Sequence, residues 1–508
     1  MNLSGVALAA LALAVVGSAY TGMSDNAWTL GKARVGEKML FTLDERPFFP
    51  VVASIPLPEA GAFARADAEA LRDQGFNMLY TAIDYPWLSS RQEAIDGFLR
   101  ACVEAGLPVI VELQEWDYWH RWLREHPSAN MVMSNGDPVM TCADFANPDA
   151  KAEHLRRYQE MATYVAAYGG QPVVALSIGA YDYYHIPDGE THADFSVPPH
   201  STFPQTWLPY SAHATSAYLA FLKEKGFTPE DVGFESWDAV APPTDFDATR
   251  TPLHWATWMW FRKEGYVLPW VAETAQVVRD ASALPVTATL DVRPVVWDDW
   301  ATSGEQWAEI FDFIIVYYYG MVDGSEVAER LRLLSHTYTA GNAPMINLLE
   351  FSSTLGVFMP ADLYLQASIP FVSGVQFGFD GTAPRHQGRL HDFLRIAREL
   401  ESTGRWQDSP PPARVAIMVS SQDPYVYASY EVAAGALDQA GVAYHVVYDL
   451  NDLMGYALVY IPPNQPLLRR QEGYEETRSR LIEKGVSVVE GSRQDLENAL
   501  RSLQLAPP

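Results

Sequence analysis

Two hydrophobic periods alternate along most of this chain. From Phe48 onward, short runs rich in β-branched and aromatic residues are separated by stretches with apolar residues at i, i+3, i+4 and i+7. The short runs predict strands at Phe48–Ile55, Phe76–Asp84, Leu107–Gln114, Pro172–Ala180, Leu284–Val292, Phe311–Gly320, Ala343–Phe351 and Gly374–Gly381. Helices are predicted between them, among them Ala60–Gln74, Arg91–Ala105, Lys151–Tyr168, Glu326–Thr339 and Gln387–Ser402. Gly75 and Gly106 each follow a helical stretch and precede a strand, which is C-cap chemistry. Eight βα units over this length predict an α/β fold, a (β/α)8 TIM barrel spanning residues 28–408.

The run Ser409 to Pro412 breaks the pattern and reads as a linker. Beyond it, strands Arg414–Ser421, Ala443–Asp449, Ala457–Pro463 and Val486–Gly491 alternate with helices Tyr427–Ala440, Arg470–Lys484 and Gln494–Leu503. A small doubly wound α/β domain over residues 413–508 follows from that order. It has no Gly-rich nucleotide-binding fingerprint, and assembly is the role it suggests.

At the other end, the apolar run from Gly5 to Ala19 has the length of a signal-peptide core and closes on small residues. Residues 1–22 are therefore read as an export signal, and the protein as secreted or periplasmic; an uncleaved membrane-proximal anchor or a misassigned start is the other reading. No basic residue precedes the run, where export signals normally carry one.

Charge narrows the partners. With 63 acidic against 35 basic residues the net charge is −28, which repels nucleic acid and anionic membranes. The 15 Trp and 26 Tyr cluster in stretches such as Trp116 to Trp119, and flat rings beside carboxylates suit sugars. Cys102 and Cys142 fit no zinc spacing and form either one disulfide or two free thiols. Neither a metal nor a cofactor is expected.

The longest βα connections, Glu115–Pro148 and Tyr181 to about His213, would fold over the C-terminal face where barrels keep their sites. They carry Trp116, Trp119, Trp122, His185, Asp188, Glu190, Trp207 and Tyr210 as candidate binding walls. The strands themselves end on Asp84, Glu112 and Glu115, Asp291, Tyr317 and Tyr319, Glu350 and Asp380, with Asp182 following the fourth. Glu350 stands out because the apolar strand Met345–Leu349 ends on it, and an uncompensated charge there is costly.

Three stretches give this pattern a family likeness: Tyr118–Pro127, the turn Asn135–Pro138, and Tyr168–Ala175 with the helix before it. Together they resemble the region around strands three and four of glycoside hydrolase family 42, the β-galactosidases. The likeness continues through Thr287–Asp299, Phe311–Tyr319, the strand ending at Glu350, and Leu365–Asp380. It covers most of the chain, and its C-terminal module resembles that family's flavodoxin-like trimerisation domain.

The resemblance implies a retaining glycoside hydrolase acting on a β-galactoside-like or related carbohydrate, a homo-oligomer, and Glu350 as nucleophile. The family's acid/base belongs to an Asn-Glu pair ending strand four, where this chain has Ala180-Tyr181. Glu190 and Asp182 are the nearby carboxyls that would replace it, Glu190 having the longer reach. Asp84, Trp116, Trp119, Asp298, Trp300, Tyr317 and Asp380 are the candidate substrate-wall residues. The family's cysteine zinc cluster has no counterpart. A barrel that binds carbohydrate without cleaving it is the alternative, since the Asn-Glu pair is absent.

Overall fold

The computed structural model describes residues 27–35, 38–178, 209–244, 250–291, 304–318, 343–350, 372–378, 387–407, 413–420, 426–447, 450–453, 455–463 and 465–505. The expected export signal lies outside them. So do Asp182, Glu190, Asp298, Trp300 and Asp380, and the predicted helix Glu326–Thr339.

Eight parallel strands close into a barrel. They are β1 (Val51–Ser54), β2 (Met78–Asp84), β3 (Val109–Gln114), β4 (Val173–Ile178), β5 (Val286–Asp291), β6 (Phe313–Tyr318), β7 (Met345–Glu350) and β8 (Val372–Gly378), with β8 pairing back onto β1. Each falls within the corresponding predicted run or within two residues of it. Helices α1 (Arg65–Gln74) and α2 (Gln92–Ala105) end on Gly75 and Gly106 at φ 115° and 70°, left-handed conformations that glycine adopts without strain.

Alternation along the strands separates two cores. Val51, Ala53, Leu79, Val109, Val111, Leu113 and Leu176 pack outward against the helices. Val52, Met78, Tyr80, Ile110, Ala175, Phe313, Ile315 and Ile346 pack inward. The inner cluster also takes up Leu30 and Phe41 from an antiparallel sheet, Leu30–Val35, Lys38–Leu43 and Arg46–Phe48, which stoppers the N-terminal end. Phe41 meets Phe313 edge-on with ring centroids 5.2 Å apart. Asp44 and Glu45 turn the stopper at φ 51° and 64°. These three strands were not predicted, because they lie ahead of the first βα unit and join no parallel repeat.

After β3 come helix α3 (Trp116–Glu125), a small hairpin of Asn130–Val132 with Pro138–Ala143, and helix α4 (Pro148–Ala166). The stretch read as a binding wall is therefore largely regular structure, and Trp116 and Trp119 belong to α3; their side chains lie outside the described residues. Before β5, α5 (Ala212–Glu224) leads through turns to one long helix. It is built from α6 (Pro252–Trp260), a π-helical stretch Phe261–Val267, and α7 (Leu268–Ser282). Gly265 sits in the wide stretch, where an added Cβ would stand 2.6 Å from Phe261 and 2.8 Å from Phe221.

The π-helical stretch aims Tyr266 at the β3 connection. Its hydroxyl donates to Asp144 Oδ1 at 2.7 Å and accepts the Phe145 N–H at 3.0 Å. Ser211, the N-cap of α5, donates to the other Asp144 oxygen. A single buried carboxylate thus ties the β3 connection to both helices of the β4 connection, which are the two segments that should wall the barrel mouth.

The C-terminal unit is a parallel sheet of β9 (Val415–Met418), β10 (Tyr444–Val447), β11 (Leu458–Ile461) and β12 (Ser487–Glu490) in the order β10-β9-β11-β12. One sheet face packs against Val426–Gln439 and Arg493–Ser502, the other against Tyr474–Glu483, as the sequence predicts for a doubly wound unit. It seats on the barrel through Leu467, buried in the outer core, and through Arg470. That guanidinium pairs with Asp231 at 3.1 Å and lies 5.1 Å from the Phe227 ring centroid. Cys102 is a free thiol buried on α2, so the disulfide reading gives way to the free-thiol one; burial pushes its pKa far up and leaves it inert.

Tyr266→Phe should lower the stability of the barrel unfolding transition by about 1.5–3 kcal/mol, because it removes a hydrogen bond to a buried carboxylate, whose Oδ1 keeps only the Ala146 N–H among the described residues, together with the acceptor of the Phe145 N–H. Urea unfolding followed by tryptophan fluorescence measures this, and an unchanged midpoint would show that the Asp144 knot contributes little.

Candidate active site

The barrel registers determine which residues can meet at its mouth. Starting at Glu350 and following hydrogen-bonded neighbours one way round leads through Gly378, Ser54, Tyr80 and Ile110 to Ala175 on β4. Going the other way, Met345, five residues below Glu350, leads through Ile314 and Ala288 to Ile178, three residues above Ala175. The two offsets make a total stagger of eight residues, the shear of a (β/α)8 barrel. A ring perpendicular to the barrel axis therefore climbs one residue per strand relative to the hydrogen-bonded ring.

Levels follow directly. Four strands from Glu350, the register partner Ile110 becomes Gln114, so Gln114 on β3 stands level with Glu350 on the opposite side of the barrel. Asp291 on β5 shares that level, and Asp84 on β2 and Tyr317 on β6 come within a residue of it. The predicted strand-end residues Asp84, Tyr317 and Glu350 are thus brought to one rim by backbone geometry. The side chains of Tyr317, Asp291 and Glu350 lie outside the described residues, and Asp84 is buried.

The next layer from alternate strands holds Ser54, Glu112 and Thr289, with position 348 completing it. Below that, Tyr80 and Ser177 come from the even strands, and the Tyr80 and Thr289 hydroxyls share a 3.0 Å hydrogen bond across the barrel. Beneath them Val52, Ile110 and Ile346 make an apolar core, which Ile315 joins from the level of Tyr80 and Ser177. Two layers under the rim therefore mix hydroxyl and carboxyl groups with apolar positions such as Ile315 and Leu348, where barrel cores are ordinarily branched and apolar throughout.

Glu112 is the acid of this interior. Its side chain is buried, and Gln114 Nε2 donates to its Oε1 at 2.6 Å. Burial pushes the Glu112 carboxyl up to about 7, against the opposing effect of the Gln114 hydrogen bond. Ser177, in register beside Glu112, is fully buried and its hydroxyl has no hydrogen-bond partner among the described residues. The sequence signal for this layer was present: Ile110, Glu112 and Gln114 alternate with Val109, Val111 and Leu113, so one face of a buried strand turns polar.

Glu115, one residue past β3, departs from the rim set. Its Oε1 accepts from His154 Nδ1 at 2.5 Å and its Oε2 pairs with Arg157 Nη1 at 3.0 Å, both on α4. Burial lowers the His154 pKa, more strongly than Glu115 raises it. Phe145 and Trp270 stack 3.9 Å apart between centroids, and the His154 ring lies 5.1 Å and 4.9 Å from them. All three ionisable groups are buried, and together they clamp α4 to the end of β3. Among the described residues no group of three His, Cys, Asp or Glu stands so as to hold a metal ion.

No family model matches the sequence, and no curated protein matches it either. Solved structures do match by fold. A β-galactosidase from the psychrophilic Marinomonas ef1 superposes over 87% of this chain and 76% of its own, at 15% identity and a TM-score of 0.63. A cold-adapted β-galactosidase from Rahnella sp. R3 gives 87%, 70%, 14% and 0.63 in the same order. Gan42B, a GH42 β-galactosidase from G. stearothermophilus described as a catalytic mutant, gives 87%, 71%, 12% and 0.63. The chain therefore has the barrel fold of the family 42 β-galactosidases, as the sequence resemblance implies.

Proposed function

We propose that the protein is a retaining glycoside hydrolase in which Glu350 is the nucleophile. The observation that carries this is the position of Glu350 as the last residue of β7, on the rim of a closed barrel of family 42 fold and across from Gln114. Retaining cleavage needs an ionised carboxylate at the anomeric carbon and a protonated carboxyl about 5 Å away at the glycosidic oxygen. Attack forms a glycosyl ester on the Glu350 carboxylate while the second carboxyl gives its proton to the departing alcohol; the same group then takes a proton from the water that releases the sugar.

Glu190 and Asp182 are the proposed acid/base pair of candidates, both in the connection that follows β4. Glu190 is preferred for its reach. A β-galactoside or a related oligosaccharide is the proposed substrate, since the solved structures of like fold are β-galactosidases. The exposed start of the site would be walled by the segments that Asp144 knots together. Export fits the apolar run Gly5 to Ala19, and homo-oligomerisation through the C-terminal unit fits its doubly wound form.

The Ala180-Tyr181 pair favours one other reading, a barrel that binds carbohydrate and has lost cleavage. Aryl glycosides separate the two. Glu350→Gln should reduce turnover by on the order of 10³-fold or more while leaving sugar binding measurable; equal turnover in both proteins would remove Glu350 from the chemistry. Azide should restore cleavage of an activated aryl glycoside, as a glycosyl azide, to whichever of Glu190→Ala and Asp182→Ala has lost the acid/base. Failure of azide with both variants would place that role elsewhere.

A further inference from the structure

We propose that Glu112 is a specificity-determining residue, forming with Ser177 a polar floor that hydrogen-bonds the sugar hydroxyl reaching deepest into the barrel. This rests on the reading of the rim as a carbohydrate site, and it adds a group that the family likeness does not assign.

Three observations lead to it. The register places Glu112 one layer, about 5 Å, below the level of Glu350 and on the opposite side of the barrel. A group at that depth is too low to protonate a glycosidic oxygen held at the rim, but a ring seated at the rim would point a hydroxyl toward it. Second, Ser177 Oγ beside it is fully buried with no partner among the described residues, and a polar group buried without one costs about 1–3 kcal/mol. A ligand hydroxyl would supply that partner. Third, the Tyr80–Thr289 hydrogen bond ties the Glu112 layer to the one beneath it, above the apolar core of Val52, Ile110 and Ile346, so a ligand entering from the rim reaches its lowest polar partners at this depth.

The chemistry of the pair fits a neutral hydroxyl rather than a cation or an anion. Gln114 occupies one Glu112 oxygen as a donor, leaving the carboxyl O–H to donate and Ser177 to donate or accept. Among the described side chains the titratable neighbours of Glu112 in this well are Asp84 above and Tyr80 below, both on β2, and the backbone register puts the acidic positions 291 and 350 at the rim level. All are acidic or neutral, so an anionic ligand group would be repelled. Burial holds the proton on Glu112 up to about pH 7. Sugar affinity should therefore be highest below that pH and fall as Glu112 ionises and loses its donor hydrogen.

Wild type, Glu112→Ala, Glu112→Gln and Glu350→Gln full-length proteins test this with calorimetric binding of galactose, glucose and their monodeoxy analogues from pH 5.5 to 8.5, beside aryl-glycoside kinetics. Glu112→Ala should weaken binding of the preferred sugar about tenfold or more, with the kinetic loss falling on KM more than on kcat. Glu112→Gln, which cannot ionise, should abolish the fall in affinity through pH 7. One deoxy analogue should bind wild type and Glu112→Ala alike, identifying the hydroxyl that is read.

Wild-type affinity and pH dependence in a folded Glu112→Gln protein overturn the floor. So does an affinity loss in Glu112→Ala that is equal for every deoxy analogue. Sugar binding that responds to Glu112 in a protein that cleaves no glycoside retains the floor and removes the hydrolase reading. Cleavage lost in Glu350→Gln with unaltered binding in both Glu112 variants does the reverse. Absence of binding to any of these sugars by wild type removes the floor for this class of ligand.

Discussion

Everything proposed for this protein depends on the closure of eight strands with a stagger of eight residues. Parallel strands exchange their hydrogen bonds only in set registers, so closure leaves no freedom in which residues share a level. Backbone positions as distant in sequence as 84, 114, 291 and 350 share one rim because the backbone has no other way to satisfy its amides. The catalytic reading of Glu350 and the floor reading of Glu112 are both consequences of this one constraint.

The constraint also explains how a polar well is tolerated inside a barrel. Hydroxyl and carboxyl groups removed from water must find partners, and the Tyr80–Thr289 and Gln114–Glu112 pairs supply them across and along the strands. The lower interior is sealed by an apolar plug, Phe41 against Phe313 with Leu30, Val52 and Ile346 around them. Hydrophobic closure is thereby concentrated at the N-terminal end, leaving the C-terminal end free to be polar. This division matches the ordinary one in such barrels, stability at the bottom and chemistry at the top.

Outside the barrel, two buried carboxylates do related work at different places. Glu115 holds α4 against β3 through His154 and Arg157, and Asp144 holds the β3 connection against α5 and the π-helical stretch. Neither faces the rim centre, yet both fix segments that border it. A buried charge is expensive unless every oxygen is partnered, so each knot specifies one arrangement of the segments that meet there.

The periodicities by themselves determined the number and order of the barrel strands, the glycine caps of α1 and α2, the doubly wound C-terminal unit, and Glu350 as the end of β7, because these depend on residues near in sequence. Glu112 was legible only as another strand-end acid. Its depth, its distinction from Glu115 three residues later, and the partnerless Ser177 beside it were decided by tertiary structure. The stopper sheet and the π-helical stretch were also invisible, since one is stabilised by Phe41 meeting Phe313 and the other by Tyr266 meeting Asp144, residues more than a hundred positions apart. Local pattern fixes what a segment can become; the stagger of the closed barrel fixes which of its residues meet.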